Sequence, residues 1–68
     1  MDPAEIVRNS LKDVEGLGAR AVLNYVAYEF NVGGPSRDVV EEALRIAQKE
    51  IEELQKVIKI LQELKVYV

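Results

Sequence analysis

The strongest constraint on the fold is a long helical segment at the end of the chain. Between Ser36 and Val66 the sequence has no Gly and no Pro. Apolar residues recur there at alternating intervals of four and three, the spacing of packed helices. We call this row the seam, and it consists of Val40, Leu44, Ala47, Ile51, Leu54, Ile58 and Leu61. A helix over residues 36–66 would be about 45 Å long, whereas a globule of this chain length is only about 22–25 Å across. We therefore expect something else to cover part of this helix.

The second half of that helix is the more hydrophobic one. After Leu54 a second row of apolar residues lies beside the seam, and it consists of Val57, Ile60, Leu64 and Tyr67. A short helix pair packed near the Gly33-Gly34 turn would reach only about 20 Å along the helix. The second row would then remain exposed in a single chain.

Cap and turn residues divide the rest of the chain. Asp2-Pro3 is a helix start signal, so we predict a first helix over residues 3–15. Gly16 is expected to end it as a left-handed residue, with Leu17 as the apolar contact that follows. A second helix is predicted over 19–31, and the stop at 33–36 leads into the third helix over 36–66. These elements make residues 1–68 one all-α domain.

A second architecture fits the same sequence. The apolar rhythm continues from Val7 through Gly16 and Gly18 to Val32 without a break. Residues 3–31 could therefore form one kinked helix that matches the third helix in length. The result would be an αα-hairpin that dimerises into a four-helix bundle. Both architectures call for a second chain.

The second helix is apolar around most of its circumference. Only Arg20, Asn24 and Asn31 form a thin polar strip, with Glu29 to one side. Such a helix is usually buried, but in a three-helix monomer its outer side would meet water. This is a second indication of a partner chain.

Composition argues against several classes of function. The chain has no His and no Cys, so we expect no catalytic site, no metal site and no cofactor. The net charge is −3, and a helix–turn–helix reading would place Asp38, Glu41 and Glu42 at the start of the recognition helix, so nucleic acid is disfavoured. No apolar run approaches the roughly 18 residues that span a membrane. We expect a soluble, cytoplasmic protein that is not an enzyme.

One short segment resembles a known recognition helix. Residues 23–31 read LNYVAYEFN and resemble the death-motif helix that pro-apoptotic proteins insert into the groove of their partners. The resemblance implies a helical binder that presents residues 19–31 to a hydrophobic groove. Its four anchors would be Ala19, Leu23, Val26 and Phe30. The hallmark Asp of that family is replaced here by Tyr28.

A broader resemblance covers the whole chain. The caps at Asp2-Pro3 and Pro35-Ser36, the Glu/Lys/Arg surfaces and the Ile/Leu/Val cores resemble those of idealised, de novo designed helical proteins. A designed origin would imply a folded module with no natural function and no natural compartment.

The two indications of a partner chain lead to one functional hypothesis. We expect a small helical module for self-association or protein–protein interaction, as a homodimer or higher oligomer. Its interface is predicted to combine the aromatic residues of the second helix with the end of the third. The predicted interface residues are Tyr25, Tyr28, Phe30, Leu54, Val57, Ile58, Leu61, Leu64 and Tyr67.

Overall fold

The computed structural model describes residues 2–68 as three α-helices: α1 (Pro3–Leu11), α2 (Leu17–Gly33) and α3 (Arg37–Tyr67). The all-α, three-helix prediction is confirmed, and the kinked two-helix hairpin is wrong because the chain leaves the helical conformation between α1 and α2. The third helix begins and ends within one residue of its predicted bounds. Its 31 residues correspond to a rod of about 46 Å.

The start of α1 follows the cap signal in the sequence. One carboxylate oxygen of Asp2, Oδ1, accepts a hydrogen bond from the backbone N–H of Ala4 at 3.1 Å, and Pro3 is the first helical residue. The missing N–H of Pro3 costs nothing at that position, because the first amides of a helix have no partner within it.

The end of α1 differs from the prediction. The helix ends at Leu11, four residues early, and Gly16 is an extended residue (φ −63°, ψ 136°) that precedes α2. The expected left-handed ending at Gly16 is therefore wrong, and Leu17 is the exposed first residue of α2. The cause lies in Arg20 of α2, whose Nη1 donates to the carbonyl oxygens of Leu11 at 2.5 Å and Val14 at 2.9 Å. These bonds satisfy carbonyls that a continued helix would have satisfied.

The turn between α2 and α3 follows Gly33 as predicted, although α2 extends two residues beyond each end of its predicted range 19–31. Gly34 has a positive φ of 81°, and its N–H donates to the carbonyl of Phe30 at 2.9 Å, which ends α2. Ser36 occupies the N-cap position of α3, although its side chain makes no capping hydrogen bond.

Both outer helices pack against α2. The end of α1 near Leu11 lies beside Arg20 at the start of α2, so α1 and α2 are antiparallel. Gly18, near the start of α2, lies beside Glu50 in the middle of α3, so α2 and α3 are also antiparallel. The backbones of α1 and α3 stay apart, with no Cα atom of one within 8 Å of a Cα atom of the other.

The hydrophobic core is small. Its buried members are Val7 of α1, Val26 and Phe30 of α2 and Ala43 of α3. Half-buried side chains surround it, namely Val22, Tyr25, Ala27 and Val39. The core therefore occupies only the half of α3 that lies next to the Gly34 turn.

Candidate docking surface

An apolar groove runs between α1 and α3, with α2 as its floor. It encloses about 420 Å³ and every side chain that lines it is apolar. The lining residues are Pro3, Ile6, Val7, Val22, Leu23, Val26, Phe30, Val40, Ala43, Leu44 and Ala47. Sites for small molecules usually add a few polar groups that orient the ligand. The chemistry of this groove suits the apolar face of a helix better than it suits a polar small molecule.

The groove exists because α1 and α3 lie on the same side of α2 with their backbones apart. Arg20 helps to define the corner between α1 and α2, since its hydrogen bonds to Leu11 and Val14 hold the end of α1 against the start of α2. Phe30 and Val26 then fill the space behind the groove and fix its floor.

The second half of α3 extends beyond the other two helices. We call residues 48–68 the tail, and every residue in it is exposed. From Ile51 to Leu64 its large apolar side chains are about half exposed, for example Leu54 and Leu61 at 57%. The start of α2 lies beside the beginning of the tail, where Gly18 and Glu50 line the same pocket. Nothing within residues 2–68 covers the tail beyond that point.

The groove and the tail are parts of one continuous apolar surface. The seam residues Val40, Leu44 and Ala47 line the groove, and the seam then continues along the tail through Ile51. The second row has an equivalent in the first half of α3. Ala43 lies two heptads before Val57, so both residues are on the same side of α3. Because Ala43 is the α3 residue buried in the core, the second row continues the side of α3 against which α2 packs.

The nine predicted interface residues fall into two groups. Those of α3 (Leu54, Val57, Ile58, Leu61, Leu64 and Tyr67) lie together on the exposed tail. The aromatics of α2 lie apart from the tail and differ from one another in burial. Tyr25 is half-buried beside Ile46, Tyr28 is exposed next to Ala4 and Arg8 of α1, and Phe30 is buried in the core of its own chain.

Sequence reasoning missed the α1 side of the groove. Pro3 and Ile6 line it, yet neither was among the predicted interface residues. The signal available was that Ile6 and Val7 are adjacent apolar residues in a nine-residue helix, more than one narrow contact with α2 requires. The sequence does not show how α1 is placed at the corner with α2, so this pattern alone does not indicate which surface Ile6 lines.

The fold buries most of the α2 face that the recognition-helix resemblance would present to a partner. Val26 and Phe30, two of the four expected anchors, are buried against α1 and α3. Leu23 is half-buried in the groove floor, and only Ala19 is exposed. Presenting that face to a partner would require α2 to leave its own core.

The charged side chains of α3 pair with one another on its solvent side. Arg37 and Glu41 lie 3.3 Å apart, Glu42 and Arg45 lie 2.6 Å apart, and Glu53 and Lys56 lie 3.3 Å apart. The hydrogen bond with Glu42 and the negative charge of Glu42 raise the pKa of the Arg45 guanidinium above its ordinary value. These exposed pairs contribute little to stability. They do keep charge on the side of α3 away from the seam.

Two further properties concern residues 2–68. No three His, Cys, Asp or Glu side chains of this part of the chain are grouped so that they could hold a metal ion. None of the three helices is both long enough and apolar enough to span a membrane.

Comparison of the chain with protein-family models, with curated proteins and with solved structures finds no match. The proposals below therefore depend on the geometry of this chain alone.

Proposed function

We propose that this protein is a small, non-enzymatic helical module whose function is self-association, most simply as a homodimer. The observation that supports this proposal is the exposed apolar tail of α3. A soluble monomer rarely leaves a continuous apolar surface of this kind in water.

The accessible surface of the chain is too large for a compact monomer. It amounts to 5745 Å², whereas the usual scaling gives about 4,300 Å² for a monomer of this mass. The excess of roughly 1,400 Å² exceeds the approximately 800 Å² that each partner buries in a standard protein interface. The excess surface of each chain is therefore large enough to form such an interface with a second chain.

The free energy of burying apolar side chains also favours association. Full burial of a Leu or Ile side chain contributes about 1.5–3 kcal/mol, so a half-exposed one forgoes roughly 1 kcal/mol. A domain of this size has a free energy of unfolding of only about 3–10 kcal/mol. Burial of several tail side chains between two chains would therefore be comparable with the stability of the fold itself.

The first prediction concerns a charge placed in the middle of the tail. Leu61→Lys is expected to raise the dimer dissociation constant at least about a hundredfold, because an unpaired ammonium group would be buried in the interface. Sedimentation equilibrium at two concentrations is the measurement. The wild type should reach the mass of two 7.7 kDa chains, and the variant should remain at the mass of one.

The matched control is Gln62→Lys, which adds the same charge to the neighbouring residue on the polar side of α3. This variant should keep the wild-type mass. A wild-type chain that is monomeric at every concentration up to the millimolar range would refute self-association.

A further inference from the structure

The three helices leave the position of a fourth helix empty. Because α1 and α2 are antiparallel and α2 and α3 are antiparallel, α1 and α3 point in the same direction. The groove lies between them, next to α1 on one side and α3 on the other. A helix placed there antiparallel to both would complete an up-down-up-down four-helix bundle.

The tail of the same chain cannot be that helix. It continues α3 without interruption to Tyr67, and no Gly or Pro in α3 would allow it to fold back into the groove. A second copy of the chain has an identical tail with no such restriction.

Leu44 and Ile58 of the seam each lie seven residues from Ile51. In an antiparallel pair of α3 helices crossing at Ile51, Leu44 of one chain therefore lies directly opposite Ile58 of the other. Val40 and Leu61 come within one residue of facing each other, and so do the small Ala47, which lines the groove, and the larger Leu54. The groove-lining half of each seam is thereby matched with the tail half of the other, over about 32 Å.

The second row fixes the direction of the pair. Two antiparallel helices that face each other are related by a two-fold axis perpendicular to both. The same flank of each helix, that is, the same side next to the seam, then lies on the same side of the pair. In the first half of α3 that flank carries Ala43, which packs against α2. In the tail it carries Val57 and Leu64. Antiparallel pairing therefore turns the second row of each tail towards α1 and α2 of the other chain. Parallel pairing would leave the second row on the opposite side, in water.

The charges favour the same arrangement. Residues 54–68 contain Lys56, Lys59 and Lys65 against Glu63, a side-chain charge of +2. Residues 2–53 contain eleven acidic and six basic side chains, a charge of −5. Antiparallel exchange places the positive segment 54–68 of each chain against the acidic region of the other chain, whereas parallel pairing places the two positive segments side by side.

From these observations we infer that two copies of the chain exchange tails, with residues 54–64 of each α3 lying antiparallel in the groove of the other and the two-fold axis near Ile51. This inference rests on the proposed self-association and specifies its partner, direction and register. Each groove becomes complete only when the second copy supplies its tail.

Cysteine cross-linking tests the direction and the register. The chain has no native Cys, so Leu44→Cys and Ile58→Cys each introduce a single thiol. Under mild oxidation the two variants mixed together should form a disulfide-linked dimer between positions 44 and 58. Each variant alone should not, because in the antiparallel pair two identical positions lie about 21 Å apart, well beyond the roughly 7 Å Cα separation that a disulfide allows.

A substitution on α1 tests whether the tail occupies the groove. Ile6 lines the groove and is half exposed, so Ile6→Lys should be tolerated by the single chain but should raise the dimer dissociation constant at least about a hundredfold. The matched control is Leu17→Lys, on an 88% exposed residue outside the groove, which should leave the dissociation constant unchanged. Circular dichroism of both variants establishes that the helices are retained.

The outcomes separate this inference from the proposed function. If the wild type is dimeric but the cysteine variants cross-link 44 to 44 or 58 to 58, the antiparallel exchange is overturned and self-association is retained. A folded Ile6→Lys variant that dimerises like the wild type overturns occupation of the groove. A monomeric wild type refutes both.

Discussion

At the scale of single residues, Arg20 shows how one side chain sets the shape of the chain. Its guanidinium donates to the backbone carbonyls of Leu11, the last residue of α1, and of Val14 beyond it, so the first helix stops and turns at that point. The sequence places Arg20 in a thin polar strip of α2, which gives no indication of this contact. The groove depends on the resulting corner, because the corner decides where Ile6 lies relative to α3.

We therefore predict that Arg20→Met lowers the free energy of unfolding by about 1–3 kcal/mol, since two carbonyls lose a charged donor while the aliphatic stem is largely retained. Chemical denaturation measured at fixed protein concentration tests this. The control is Lys49→Met, which removes an exposed cation that makes no ion pair within residues 2–68, and it should change stability by less than about 0.5 kcal/mol. Equal effects of the two substitutions would contradict the role assigned to Arg20.

At the scale of the helices, sequence signals were reliable where a local chemical cause acts. Gly34, Pro35 and Ser36 located the α2–α3 turn, and the unbroken seam gave the bounds of α3 to within one residue. The end of α1 was misplaced because a residue of the next helix decides it. The exposed tail could also be predicted from length alone. The groove could not, because it depends on how α1 and α3 are arranged around α2.

Two glycines with different backbone conformations are predicted to respond in opposite ways to substitution by Ala. Gly34 has φ 81° and ψ 167°, a conformation essentially restricted to Gly, so Gly34→Ala should lower the free energy of unfolding by about 1–3 kcal/mol. Gly18 lies within α2, and a methyl group there would have no heavy atom within 4 Å. Gly18→Ala should therefore raise the free energy of unfolding by about 0.5–1 kcal/mol. Thermal denaturation measures both. A Gly34→Ala variant as stable as the wild type would show that the α2–α3 turn does not depend on Gly34, and a destabilised Gly18→Ala variant would contradict the prediction for Gly18.

At the scale of the whole molecule, the chain is too extended for its length. It measures 50 × 23 × 17 Å with a radius of gyration of 15.6 Å, whereas a compact domain of 68 residues has a radius of about 11 Å. Four buried side chains are a small core for such a molecule. Stability supplied by a second chain would account for a core that is incomplete in one chain.

If folding and assembly are linked, the melting temperature must depend on protein concentration. For a dimer that unfolds to two separate chains, mass action stabilises the folded state as concentration rises. With an unfolding enthalpy of about 0.7 kcal/mol per residue, a hundredfold increase in concentration should raise the melting temperature by about 10 °C. Thermal scans followed by circular dichroism between about 5 and 500 µM would measure the shift. Leu61→Lys, which should be monomeric, is expected to melt at a lower temperature that does not change with concentration. A wild-type melting temperature that is constant over this range would mean that each chain is stable alone, despite the apolar tail that it leaves in water.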